Sequence, residues 1–292
     1  MRGIFALFIL ISSGFSSTLQ AETVKGDVKV SFPSNISFLM EKYKSAFESA
    51  NPDAHVILQS GAGPKQVEKI ISGSQDIDAI VVSDDKLVRP QLGKFYMMSP
   101  LEFMSDEIAI IAGKNAKNFE DLQPRTWHDL LLNPGMKIVV PDRSNSYAAY
   151  RVPLVWKLAE TWVRHFMLYE NMTAKVGTEN ASASGMTALI SGEADYAFDY
   201  ATQAKQHGLR IFKLPKYYNL GDPTQEHIYK GAAIELTDKA GEKKILRGEP
   251  IIYSIGQLKV SQNNSVAKAF VDFVAGNQGR EILKAEELTA IP

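Results

Sequence analysis

The chain predicts an α/β protein of two lobes, with mostly parallel sheets. Three observations predict it. From Asp27 onward short apolar strands alternate with amphipathic helices and tight turns, which implies strand–helix–strand units. With an N-terminal leader set aside, roughly 270 residues remain, large for one core and comfortable for two. The stretch at 186–215, MTALISGEADYAFDYATQAKQHGLRIFKLP, reads as helix, Gly192 stop, buried strand, helix, Gly208 stop and strand.

Val28, Val30 and Phe32 alternate with polar residues and make a first strand. Pro33, Ser34 and Asn35 form a turn and cap. Phe38, Leu39, Tyr43 and Phe47 then mark one face of a helix that Asn51 and Pro52 end. Residues 55–58 are a second strand. The loop Ser60-Gly61-Ala62-Gly63-Pro64 sets Pro64 at the first helical position, and Val67, Ile70 and Ile71 line that helix. Residues 77–82 are a third strand ending at Ser83-Asp84-Asp85, and residues 107–112 read as a strand crossing out of the first lobe. Next come a helical segment at 118–132, a strand at 137–140, a polar loop at 141–149 and a long helix at 150–166, interrupted early by Pro153. Tyr196, Ala197 and Phe198 are an apolar run too short for a helix. Asp199 and Tyr200 follow at its C-terminal end, where open α/β sheets place ligands. Residues 209–215 lead back to the first lobe, which a strand at 251–260 and a helix at 266–276 complete, while residues 222–247 read as a polar surface excursion. The expected organisation is a leader at 1–21, lobe one at 22–107 and 209–292, and a continuous lobe two at 108–208.

Arg2, the apolar core at 4–11 and the small residue Ala21 have the form of a signal peptide, with Glu22 as the mature N-terminus. The apolar run breaks at Ser12-Ser13-Gly14, short of the ~20 residues a spanning helix needs. Cysteine is absent, which excludes disulfides, thiol catalysis, thiolate metal sites and a lipid-anchored N-terminus. A secreted chain without a tether points to a periplasm. The formal net charge is −1, and nothing favours nucleic acid. The five histidines show no metal-ligand spacing, and no phosphate-loop motif occurs. Ser182-Ala183-Ser184-Gly185 lacks the Gly-x-Ser-x-Gly frame of a hydrolase. Neither an enzyme nor a cofactor is expected. Trp127, Trp156 and Trp162 sit at helical positions and read as core.

Three loops that precede helices are rich in small polar residues and offer free N–H groups to an anion. The first holds Ser34, Asn35 and Ser37, which also fit plain helix capping. The second holds Ala62 and Gly63, whose small size permits close backbone approach. The third holds Ser144, Ser146, Tyr147 and Arg151. Arg151 fits either a bidentate anion contact or a structural pair with a carboxylate. Asp199 is awkward beside an anion, because like charges repel at short range.

The run Gly192-Glu193-Ala194-Asp195-Tyr196-Ala197-Phe198-Asp199-Tyr200, then Gln206-His207 and Leu214-Pro215, resembles the type II solute-binding proteins of ABC importers. Within them it is most similar to the molybdate/tungstate-binding branch. The resemblance implies a two-lobe periplasmic binding protein, a small oxyanion ligand and an ABC permease in the inner membrane as partner. It further implies a monomer that is free in the periplasm. It places Asp199 where the family has a Glu at the metal oxyanion. Aligning on Tyr150-Arg151 places Ser146 at the family's second carboxylate, and Pro64 falls where the family often has a serine. The site residues it implies are Ser34, Asn35, Ser37, Ala62, Gly63, Ser144, Ser146, Tyr147, Arg151, Asp199 and Tyr200. Metal contact is confined to Asp199, and a tetrahedral anion held by hydrogen bonds fits the substitutions. Phosphate, sulfate or a carboxylate is the alternative cargo, and a ligand-presenting sensor partner the alternative role.

Overall fold

The computed structural model describes residues 24–73, 76–177, 185–237 and 243–291. The expected leader and Ser182-Ala183-Ser184 lie outside the described residues. Lobe one begins with β1 (Gly26–Pro33), α1 (Ser37–Ala50), β2 (Ala54–Gly61), α2 (Gly63–Ile71), β3 (Ala79–Val82), α3 (Asp85–Leu92) and β4 (Leu101–Asp106). Lobe two follows with β5 (Ile108–Ala112), α4 (Trp127–Leu131), β6 (Ile138–Val139), α5 (Ala148–Val163) and α6 (Leu168–Val176). It continues through α7 (Gly185–Ser191), β7 (Tyr196–Tyr200), α8 (Ala201–His207) and β8 (Arg210–Phe212). The chain returns through α9 (Glu226–Tyr229), β9 (Ala233–Thr237), β10 (Lys243–Arg247), β11 (Ile251–Gln257), α10 (Asn264–Ala275), α11 (Asn277–Ala285) and β12 (Thr289–Ala290).

The lobe-one sheet has the order β12-β4-β11-β3-β1-β2, and the lobe-two sheet has the order β6-β7-β5-β8. Both are mixed rather than mostly parallel. The strand–helix–strand units do pair in parallel, β1 with β2 and β3, and β6 with β7. Strands next to a lobe crossing run the other way: β11 is antiparallel to β3 and β4, and β5 to β7 and β8. The reason is direction of travel, since β4 carries the chain out of lobe one and β11 follows its return. β8 pairs with β5, so residues 210–212 sit in the second sheet, beyond the expected boundary at 208. The surface excursion contains the β9–β10 pair, and β9 packs against α5. The sequence reading passed over α3, β4 and α6.

One apolar core runs through both lobes. In lobe one Phe47 meets Phe270 edge-on at 5.2 Å between ring centroids. In lobe two Trp156 and Trp127 both meet Phe198 edge-on, at 5.4 and 5.5 Å. Trp162 departs from the core expectation, being 38% exposed and stacked on Tyr217. The other face of the second sheet packs Ile111, Val139, Ala197 and Ala204 with Leu189. Side chains alternate across a strand, so Asp199 and Tyr200 leave the end of β7 on opposite faces.

β11 lies between β3 and β4, and Ile255 on it is fully buried. Ile255→Ala is expected to lower unfolding free energy by about 2–5 kcal/mol. Urea titration checks this as a shifted midpoint at an unchanged slope.

Candidate functional site

The C-terminal ends of β1, β3 and β7 meet where the lobes face each other. The turn after β1 carries Asn35, 5% exposed, into lobe two. Its Nδ2 donates to Thr202 Oγ1 at 2.6 Å and to Tyr253 Oη at 2.5 Å. Thr202 Oγ1 in turn donates to Asp106 Oδ2 at 2.6 Å, and Tyr253 Oη reaches the same oxygen at 3.4 Å. This chain of groups joins β1, β4 and β11 of lobe one to α8 of lobe two. Gln206, also on α8, accepts from the Phe38 N–H at 2.9 Å, so a lobe-two amide caps the first turn of α1.

Arg151 is a lobe-two side chain whose carboxylate partner, Asp84, follows β3 of lobe one. Its Nε and Nη2 donate to the two oxygens of Asp84, each at 2.6 Å, and both residues are fully buried. Nη1 donates to the Arg247 carbonyl at 3.2 Å, and Glu249 stands 3.7 Å from Nη2. Asp84 holds this position in a left-handed backbone conformation (φ 63°), which aspartate tolerates better than most residues. Nearby, a Cβ added at Gly63 would lie 3.3 Å from the ring of Tyr147, so the bare glycine seats that aromatic at the start of α2.

Two buried carboxyls sit at the junction without an ion pair among the described residues. Asp199 is 4% exposed, and its Oδ1 accepts from the Tyr200 N–H at 2.8 Å. Burial pushes its pKa up to about 7, with the Asp106 charge adding to the rise. Burial pushes Asp106 up to about 6, against the Thr202 hydrogen bond that favours its ionised form. The Tyr200 hydroxyl is buried and has no hydrogen-bond partner among the described residues. Asp84, Tyr253, Arg151 and Asp106 surround it electrostatically, and its ring lies 6.2 Å from that of Tyr253.

The structure thus brings together Asn35, Gly63, Tyr147, Arg151, Asp199 and Tyr200. Ala62 is half-buried as the residue preceding α2. Ser146 is half-buried and its Oγ accepts from the Ala148 N–H at 3.2 Å, capping α5. Ser34 and Ser144 are exposed; the Ser37 hydroxyl is bound to the Ser34 carbonyl and that of Ser144 to Asp142. Of the two roles open to Arg151, the structure shows the carboxylate pair, and the carboxylate is Asp84 rather than Asp199. Sequence reasoning missed Asp84, Asp106, Thr202 and Tyr253. A signal existed for three of them: Asp84 ends β3, Asp106 ends β4 and Thr202 opens the helix after β7, all places where an α/β fold exposes its ligand edge. Among the described residues no group of three or more His, Asp or Glu is placed to hold a metal ion, and no helix is long and apolar enough to cross a membrane.

Residues 28–286 match the family described as bacterial extracellular solute-binding protein. An uncharacterized solute-binding protein of Petrotoga mobilis is 27% identical over 288 residues, covering 96% of this chain and 88% of its own. The molybdate/tungstate-binding protein WtpA of Pyrococcus abyssi is 25% identical, covering 77% and 72%. Among solved structures, the periplasmic molybdate-binding protein of Azotobacter vinelandii superposes with a TM-score of 0.58 at 14% identity, over 91% of this chain and 99% of that one.

The raised carboxyls make stability depend on pH. An ordinary aspartate titrates near 3.8, so Asp199 and Asp106 bind protons more tightly in the folded state. Their contribution is complete below that value and is lost as pH rises through about 6 and about 7. His128 and His207, lowered by burial, tilt the other way. The reading is therefore a difference. Between pH 5 and pH 8 the melting temperature of ligand-free Asp199→Asn is expected to gain on that of the parent, measured by scanning calorimetry.

Proposed function

Because this chain belongs to the bacterial extracellular solute-binding proteins, we propose that it captures a small oxyanion of the molybdate or tungstate kind between its lobes. It is the solute-binding component of an ABC transporter, and solute-binding proteins are not enzymes. The observation that carries the ligand reading is the Tyr200 hydroxyl, buried at the lobe junction with no partner among the described residues. Such a group costs roughly 1–3 kcal/mol while unsatisfied. An oxyanion oxygen accepts its proton and removes that cost.

Asp199 supports the same reading once its protonation is considered. With its pKa near 7, much of it is neutral at physiological pH, and an anion alongside raises it further. A neutral carboxyl donates an O–H to the anion instead of repelling it. Hydrogen-bond capture also suits Ser146, a hydroxyl at the position that the resemblance implies for the family's second carboxylate. The molybdate/tungstate-binding relative of Pyrococcus abyssi supports this choice of cargo.

Loading and release follow from the fold as hinge bending at the two lobe crossings, around Glu107 and between β8 and Leu220. The loaded monomer then presents its cargo to the permease in the inner membrane. The signal-type N-terminus supports a place in a periplasm.

A thermal-shift and calorimetry panel of molybdate, tungstate, sulfate, phosphate and small carboxylates tests the cargo. The bound oxyanion is expected to raise stability by about 4 kcal/mol at a thousandfold excess over Kd. Binding of a neutral sugar or peptide, with no oxyanion heat, overturns the reading. Tyr200→Phe is expected to weaken oxyanion binding by about 1–3 kcal/mol while leaving the ligand-free protein as stable as before or more so. A purely structural hydroxyl would give the opposite pair of results in the same two measurements.

A further inference from the structure

Arg151 is the one lysine or arginine among the buried described residues, against five buried aspartates, Asp78, Asp84, Asp85, Asp106 and Asp199. It stands on α5, which packs against β7, the strand that ends in Tyr200, and its charge and that of Asp84 both act on the Tyr200 hydroxyl. A free arginine there would offer a bidentate fork to any small dianion. It is not free. All three of its side-chain nitrogens are directed to acceptors: Asp84 at 2.6 Å twice, the Arg247 carbonyl at 3.2 Å and Glu249 at 3.7 Å. The Asp84 contribution comes from a non-glycine residue at φ 63°, a conformation that carries some backbone cost.

We propose that Asp84 is a specificity-determining residue, which neutralises Arg151 so that the cleft selects large, weakly hydrated oxyanions over sulfate and phosphate. The proposal rests on the oxyanion reading above and adds to it the source of discrimination. An anion entering a site with no net countercharge must be desolvated against hydroxyl and amide donors alone. That cost falls as ionic radius grows, because the solvation energy of an ion varies inversely with its size. Molybdate and tungstate are larger than sulfate at the same charge of two, and larger than the phosphate dianion, so they lose less on entry. With Arg151 unneutralised, attraction to the guanidinium would favour the smaller ions, whose charge approaches it more closely.

The test is calorimetric titration of the parent, Asp84→Asn and Asp84→Gly with molybdate, tungstate, sulfate and phosphate. Asparagine and glycine both accept the left-handed backbone, so either variant serves if the other fails to fold. The parent is expected to prefer molybdate or tungstate. In the variants the ratio of molybdate to sulfate affinity is expected to fall by about tenfold or more, through a gain for sulfate and phosphate. A ratio unchanged in a folded variant overturns the inference and leaves oxyanion capture standing. A parent that prefers sulfate or phosphate does the same. A parent that binds none of the four overturns the oxyanion reading, and this inference with it.

Discussion

Arg151 imposes the condition on which the rest of the junction depends. A guanidinium carried on a lobe-two helix is fully buried; its carboxylate partner comes from lobe one, and the end of β10 supplies a carbonyl. Desolvating such a pair costs several kcal/mol per ion, and close two-pronged geometry is what offsets it. Asp84 must therefore turn through a left-handed residue, α5 must begin early enough to point Arg151 across the gap, and the end of β10 must offer its carbonyl. The hairpin-like β9–β10 pair, polar by sequence, is in this sense part of the junction.

The electrostatic character of the cleft follows from that pairing. With its arginine matched to Asp84, the junction keeps two carboxyls, Asp106 and Asp199, that face hydroxyls and backbone N–H groups rather than cations. Burial decides their state. Desolvation outweighs the hydrogen bonds that favour ionisation, so both pKa values rise toward neutrality. At neutral pH Asp199, near 7, is therefore about half protonated and able to donate, while Asp106, near 6, stays mostly ionised and held by the Thr202 hydroxyl.

Much of the architecture was legible in the sequence because it is written locally. Alternation at Val28, Val30 and Phe32, Pro64 at a helix start, and the Gly192 and Gly208 stops are short-range signals, and the elements they imply are present. The sheet directions were not legible, because parallel pairing was inferred from alternation while β11 enters after a crossing. The site was half legible. Asn35, Gly63, Tyr147, Arg151, Asp199 and Tyr200 lie at the lobe junction, but what each one touches depends on residues far away along the chain. Asp84 is separated from Arg151 by 67 positions and Gln206 from Phe38 by 168. Gly63 shows the same limit: a sequence reader assigns its missing side chain to ligand approach, whereas the fold also uses the space to seat Tyr147.

The place of β11 has a consequence for the order in which the molecule is made. Lobe one starts at the N-terminus, yet an inner strand of its sheet is supplied by residues 251–257 and its edge by residues 289–290. Until those arrive, β3 and β4 have no neighbour between them. Lobe two is built from one uninterrupted stretch, and its contacts close over shorter loops. A chain emerging from the ribosome can therefore complete its second half-structure before its first. The N-terminal lobe stays unfinished until nearly the whole chain is available, and so does the junction that Arg151 and Asp84 complete.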